Sequence, residues 1–256
     1  MIKRPKPISV GHDSRIDLHF EPNGSEYVIK STTCNDENQS LRASRGEDIQ
    51  CSLDHPYIVS ARKVNEGIAM DYLPARWSEF CASICDHLNV SFQVASALEY
   101  LHDKGIVHYD IKPTNVIGSE DMNPAQLTDF GISWYLDQGY PHNTDKSLGS
   151  VNYMSKEQIL PDQGNVGACC DVYSLGVSMY QMISGQFAFF GSDAKQIAVQ
   201  IFIKTPDYSV IDEPARKLVA SMMEKDFRNR PKACEVRKEL EQICENSYDF
   251  DVYAKI

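Results

Sequence analysis

No CxxC pair occurs among the eight cysteines; Cys81 and Cys85 lie four apart and Cys169 and Cys170 are adjacent. That spacing fits neither a zinc site nor the disulfide framework of a small secreted domain, so reduced thiols in a cytoplasmic protein are expected. Basic residues are in deficit, with 25 Lys and Arg against 36 Asp and Glu and a net charge of -11. A polyanion-binding face needs clustered positive charge, which excludes nucleic acid as a general partner. The short basic group Lys3, Arg4 and Lys6 is read as a solvated tail. Long apolar runs are also missing. The longest uncharged stretch, Val172 to Ser192, approaches the length of a membrane span. It contains Ser174, Ser178, Gln181, Ser184, Gln186 and three glycines, which predicts a buried helix followed by a loop and no membrane span. No apolar segment follows the opening MIKRPKP, so no secretory signal is expected. Internal repeats and low-complexity tracts are absent.

What is present is 256 residues, 42% of them hydrophobic, enough for one large domain or two lobes with a real core. The patterning changes near residue 74. Before it come short β-type runs, ISV, RIDLHF, EYVIK and GIAMDYL, interrupted by one weakly periodic helix over residues 36–53. After LPARW the pattern is helical, most clearly where Leu88, Phe92, Ala95, Leu98 and Leu101 recur at three- and four-residue steps before Gly105. Two short strands, NVIG and AQLTDFG, follow around the polar turn SEDMNP. Helices are predicted over residues 171–185, 194–204, 212–224 and 233–245. The expected fold class is α+β: a single domain over 1–256, with a small β-rich lobe over 1–73 and a larger helical lobe over 74–256.

Just inside the second lobe, HYDIKPTNV (108–116) sets Asp110, Lys112 and Asn115 two and three residues apart, and Asp129 of TDFG follows Asp110 by nineteen. With YVIK ending at Lys30, GSVNYMSKEQ at 149–158, DVYSLGV at 171–177 and RNRP at 228–231, the order and spacing resemble a eukaryotic-type protein kinase along essentially the whole chain. Within these 256 residues no separate targeting or regulatory segment is expected beyond that core. The resemblance implies a two-lobed fold and transfer of the ATP γ-phosphate, a reaction governed by positioning and charge neutralisation. It implies that Asp110 orients the acceptor hydroxyl, that Lys112 sits beside the moving phosphoryl group, and that Asn115 and Asp129 hold Mg²⁺. Lys30 would grip the α- and β-phosphates, with Glu47, seventeen residues on, as its helix partner and Glu37 as the fallback. Glu157 and Arg230 would form a buried structural pair, Asp171 would anchor the catalytic loop, Ser150 would hydrogen-bond Asp110 and Lys112, and His108 is expected as a packed core residue.

The phosphate-covering loop departs from the family pattern. ISVGHDSRI keeps only Gly11, with Ser9 and Ser14 at the flanking glycine positions. Glycine there lets backbone N–H groups approach phosphate, so a stiffer loop and altered nucleotide affinity are expected. Ile16, Val28, Met70, Asp71, Leu73 and Ile117 complete the expected nucleotide pocket, with Val28 in place of the usual alanine. Tyr109 stands where most such kinases carry an arginine that pairs with a phosphorylated activation loop. Lys112, two residues after Asp110, points to a Ser/Thr class acting on a protein substrate. Six core residues (Lys30, Glu47, Asp110, Lys112, Asn115 and Asp129) are all assignable, which favours an active enzyme over the alternative, a pseudokinase serving as a regulatory or scaffolding module.

Overall fold

The computed structural model describes residues 4–10, 14–33, 37–80, 83–138, 151–161 and 166–253, with the side chains of 37, 38 and 246–253 excepted. A five-stranded antiparallel sheet of order β1-β2-β3-β5-β4 forms the first part, from β1 (Lys6–Val10), β2 (Ser14–Phe20), β3 (Glu26–Thr32), β4 (Ala61–Val64) and β5 (Gly67–Asp71). Its register explains its chemistry. Val28 pairs with Leu18 and Met70, and Lys30 with Ile16 and Ile68. Residues directly opposite one another share a face, so one face carries an apolar group in the central strands with Lys30 set beside it. Helix α1 (Glu37–Cys51) meets the sheet through buried Gln50, whose amide Nε2 donates to the Val59 carbonyl at 3.1 Å, while buried Ile49 joins the larger core cluster with Ile58 and Phe130.

The second part is helical. Ser83 starts α2 (Ile84–Asp103) with a reciprocal cap: its hydroxyl accepts from the Asp86 N–H and the Asp86 carboxylate accepts from the Ser83 N–H. Buried Leu88, Ala95, Leu98 and Leu101 form the predicted stripe. Gly105, at φ 69°, turns the chain into β7 (Ile106–Val107). Strands β6 (Ala75–Arg76), β8 (Val116–Gly118) and β9 (Ala125–Leu127) make a small sheet of order β6-β8-β9, and β10 (Trp134–Tyr135) pairs with β7. Beyond it lie α3 (Lys156–Ile159), α4 (Ala168–Ser184), α5 (Ala194–Ile203), α6 (Ala215–Met222) and α7 (Ala233–Tyr253). Helix α2 packs most extensively on α7 and also on α4. The uncharged run therefore contains a buried helix, α4, as predicted, and no helix among the described residues is long and apolar enough to cross a membrane. Among the described residues six cysteines are free thiols.

The fold is α+β and two-lobed, a sheet lobe followed by a helical lobe. Strand β4 escaped the sequence pattern because three of its four residues, Ala61, Arg62 and Lys63, are weak or charged strand formers at a sheet edge. Helix α7 runs eight residues beyond the predicted end at 245.

Candidate active site

The hairpin of β8 and β9 brings the two sequence motifs together. Val116 pairs with Leu127, and just beyond that pair the Thr128 N–H donates to the Asn115 carbonyl at 3.0 Å. Asn115 and Asp129 thus flank the same open end of one hairpin. His108 ties the loops further. It is fully buried, its Nε2 lies 3.1 Å from the Thr128 carbonyl, and its ring meets Phe130 edge-on at 4.8 Å. Its Nδ1 accepts from the Asp110 N–H at 3.2 Å, which requires the neutral tautomer with the proton on Nε2. Burial lowers the His108 pKa from the usual imidazole range despite the nearby Asp171, Asp110 and Asp129, and so keeps that form. His108 is a packed core residue, as expected.

Around Asp110 the polar groups converge. Lys112 Nζ donates to Asp110 Oδ2 at 2.7 Å, and Asn115 Nδ2 donates to the same oxygen and to the Asp110 carbonyl, both at 2.9 Å. With its nitrogen committed there, the Asn115 amide can meet a metal only through Oδ1. The loop itself hangs from Asp171, fully buried near the start of α4: Oδ2 accepts from the His108 N–H at 2.9 Å and Oδ1 from the Tyr109 N–H at 2.8 Å, while His102 Nε2 lies 3.0 Å from Oδ2. This is the anchoring expected of Asp171. Tyr109, buried and at φ 64°, occupies the left-handed region that bulky residues rarely adopt.

Across the cleft, Lys30 Nζ sits 2.6 Å from Asp129 Oδ1. Desolvation pushes the Asp129 carboxyl up, but the charge and hydrogen bond of Lys30, helped by the charge of Lys112, outweigh it and bring the pKa down to about 2. Asp129 therefore presents ionised, hard oxygen atoms.

The expected Lys30–Glu47 pair is not made. Glu47 instead accepts from the Thr32 hydroxyl at 3.4 Å. Thr32 is the next residue on the same face of β3, so α1 sets Glu47 one step, roughly 6–7 Å, along the strand from Lys30, and Asp129 is the nearer carboxylate. The fallback, Glu37, has its side chain outside the described residues, as do Gly11 and Ser150 entirely.

The remaining expected residues divide by place. Val28 and Met70 are buried in one apolar cluster with Leu18, Val59 and Ile68, and Ile16, Leu73 and Ile117 pack against it. Asp71 is exposed at the end of β5, and Ser9 and Ser14 lie on β1 and β2, where Ser14 pairs with Thr32. Below the site, Arg230 reaches both carboxylate oxygens of buried Glu157.

Two contacts went unread in the sequence. The Gly46 backbone lies directly on the segment after Asp129: a Cβ there would come 2.3 Å from the Phe130 carbonyl oxygen. Beside it the Arg45 guanidinium stacks 3.5 Å over the Trp134 ring. A glycine inside a helical pattern is the available signal for such a close approach. The other is Gln158, whose Nε2 donates to the Tyr109 carbonyl at 3.1 Å.

A sheet lobe with Lys30 beside its apolar cluster, set over a helical lobe with two carboxylates, an amine and an amide, defines a phosphate-handling cleft of the kinase type. The family model described as "Protein kinase domain" matches residues 11–240, and the chain belongs to that family. Members use ATP with a divalent metal. The chain is similar to the "Serine/threonine-protein kinase PrkC" of Bacillus subtilis, 32% identical over 184 residues, covering 68% of this chain and 28% of the relative. It is also similar to the "Probable serine/threonine-protein kinase PknB" of Lactococcus lactis, 26% identical over 220 residues, 79% of this chain and 34% of the relative. Calcium-dependent protein kinase 6 of Plasmodium berghei is 26% identical over 216 residues, 76% of this chain and 14% of the relative. The chain spans about a third or less of the length of these relatives.

Proposed function

We propose that this chain is one kinase domain, divided at residues 73 and 74, that transfers the ATP γ-phosphoryl group to a Ser or Thr hydroxyl of a protein substrate in the cytoplasm. The observation that carries the reading is the convergence on Asp110: Lys112 and Asn115 both bond its carboxylate, and Asp171 fixes the backbone on which it stands. In that arrangement Asp110 receives and orients the acceptor hydroxyl and takes its proton, while Lys112 offsets negative charge as the phosphoryl group moves. Lys30 meets the α- and β-phosphates from the sheet, and the apolar group around Val28 and Met70 faces the base.

The donor set fits a divalent cation. Asp129 is ionised and Asn115 offers an amide oxygen, both hard ligands of the kind Mg²⁺ takes in small number alongside phosphate oxygens. Held there, Mg²⁺ would neutralise the phosphates. The protein-acceptor assignment is supported by the printed names of the relatives and by Lys112; the free thiols support the cytoplasmic setting.

Asp110→Asn tests the reading. It keeps the size and the hydrogen-bonding shell but removes the proton acceptor, so transfer of label from ATP to a protein acceptor should vanish while nucleotide affinity stays within about twofold. A variant that transfers as wild type does would return the chain to the scaffolding alternative.

A further inference from the structure

We infer that Gln158, in the short helix after the activation segment, is a positioning residue for Asp110, clamping the catalytic loop from the opposite side to Asp171. The inference rests on the reading of Asp110 just given. Tyr109 precedes Asp110 and stands at φ 64°, a conformation that surrounding contacts must impose. Both of its backbone polar groups are engaged by buried side chains: the N–H by Asp171 Oδ1 at 2.8 Å and the carbonyl by Gln158 Nε2 at 3.1 Å. Only 2% of Gln158 and none of Asp171 is exposed, so neither bond competes with bulk water.

The amide is oriented by its other end. Gln158 Oε1 accepts from the Ser155 N–H at 3.2 Å and the Ser155 hydroxyl at 3.3 Å, which leaves only the NH₂ group to face Tyr109. Gln158 therefore links the cap of α3, next to Glu157 and its Arg230 anchor, to the peptide that carries Asp110. Where an arginine before the catalytic Asp would make a charged contact, this chain has a neutral tyrosine. The tie between catalytic loop and platform then runs through the main chain and needs no added phosphate.

The test is steady-state kinetics on the full chain. Gln158→Met keeps the length and neutrality but deletes the donor; kcat should fall roughly ten- to a hundredfold, the scale of a small misplacement of a catalytic group, with the KM for ATP within about twofold. Ser155→Ala removes only the hydroxyl half of the cap; the backbone N–H of residue 155 still holds Gln158 Oε1 and leaves the NH₂ on Tyr109, so kcat should stay within about threefold of wild type. Gln158→Glu can donate only when protonated, so its kcat relative to wild type should decline as pH rises, and this decides the matter if Gln158→Met does not fold. Normal kcat in Gln158→Met, an equal loss in Ser155→Ala, or a pH-independent Gln158→Glu ratio would overturn the positioning role. If Asp110→Asn is inactive while Gln158→Met is normal, only this inference fails; if Asp110→Asn is active, the proposed function fails with it.

Discussion

Lys30 and Asp129 hold one another across the cleft at 2.6 Å, while the helix carboxylate expected to hold that lysine, Glu47, is taken up by Thr32. The lysine and the carboxylate are therefore electrostatically one unit. Lys30→Met should lower transfer by about 10²–10³-fold, the scale seen when a preorganised electrostatic group is removed. It should also raise the Asp129 pKa from about 2, because desolvation then acts against weaker opposition. A carboxyl titration followed by NMR would show this. In the wild type a depressed folded pKa means that the contribution to stability is complete above the ordinary Asp range and is lost as pH falls through about 2. Since 42% of the Asp129 side chain is exposed, solvent screening keeps that contribution small.

Glu157 and Arg230 form the buried counterpart. Arg230 also donates to the carbonyls of Glu224 and Cys169, at 2.8 and 3.1 Å, and its guanidinium lies 4.7 Å from the Tyr173 ring centre. Glu157→Gln leaves the arginine charged and unpaired, so a loss of about 3–5 kcal/mol is expected in urea unfolding. Desolvation pushes the Glu157 carboxyl up, but the Arg230 hydrogen bond and charge win and its pKa is lowered. The pair's contribution is therefore present above the usual Glu range and disappears as pH falls through the lowered value, so the wild-type and Glu157→Gln midpoints should converge on acidification.

Gly46→Ala should reverse a familiar sign. In an open helix the change stabilises by about 0.5–1 kcal/mol. Here the new methyl would strike the Phe130 carbonyl, so α1 or the segment after Asp129 must shift. A loss of about 1–3 kcal/mol is expected, together with reduced transfer, read from thermal unfolding and initial rates on the same preparations.

Tyr109 bears on regulation. It is buried against Val107 and Cys170 and carries no positive charge to receive a phosphate. Thr144, Ser147 and Ser150 are hydroxyl residues between DFG and YMSKE that an activating phosphate could take; replacing all three with alanine should leave measurable transfer in a labelled-ATP assay, and complete loss would contradict activity that is independent of loop phosphorylation. All three positions lie outside the described residues.

How much was legible depended on how local the determinants are. Asp110, Lys112 and Asn115 belong to one short loop, and the adjacent β8–β9 hairpin delivers Asp129, so the family resemblance carried by these local motifs sufficed to expect them together. The apolar group of Ile16, Val28 and Met70 was expected from the family resemblance, and the sheet register puts Val28 opposite Met70 with Ile16 on the same face. Glu47 was different. The α1 segment has weak apolar periodicity, so neither its rotation nor its offset along β3 could be read, and a shift of one same-face position exchanges Lys30 for Thr32. Gln158 was invisible for another reason: its partner is a backbone carbonyl, and main-chain groups have no residue-type signature.

Because Asp171 belongs to a buried helix, the catalytic loop inherits the stiffness of the entire helical half of the molecule. Any breathing between halves therefore transports Lys30 and the apolar ceiling relative to a stationary Asp110. On the proposed function, the alcohol's seat would stay put and the nucleotide would be brought to it.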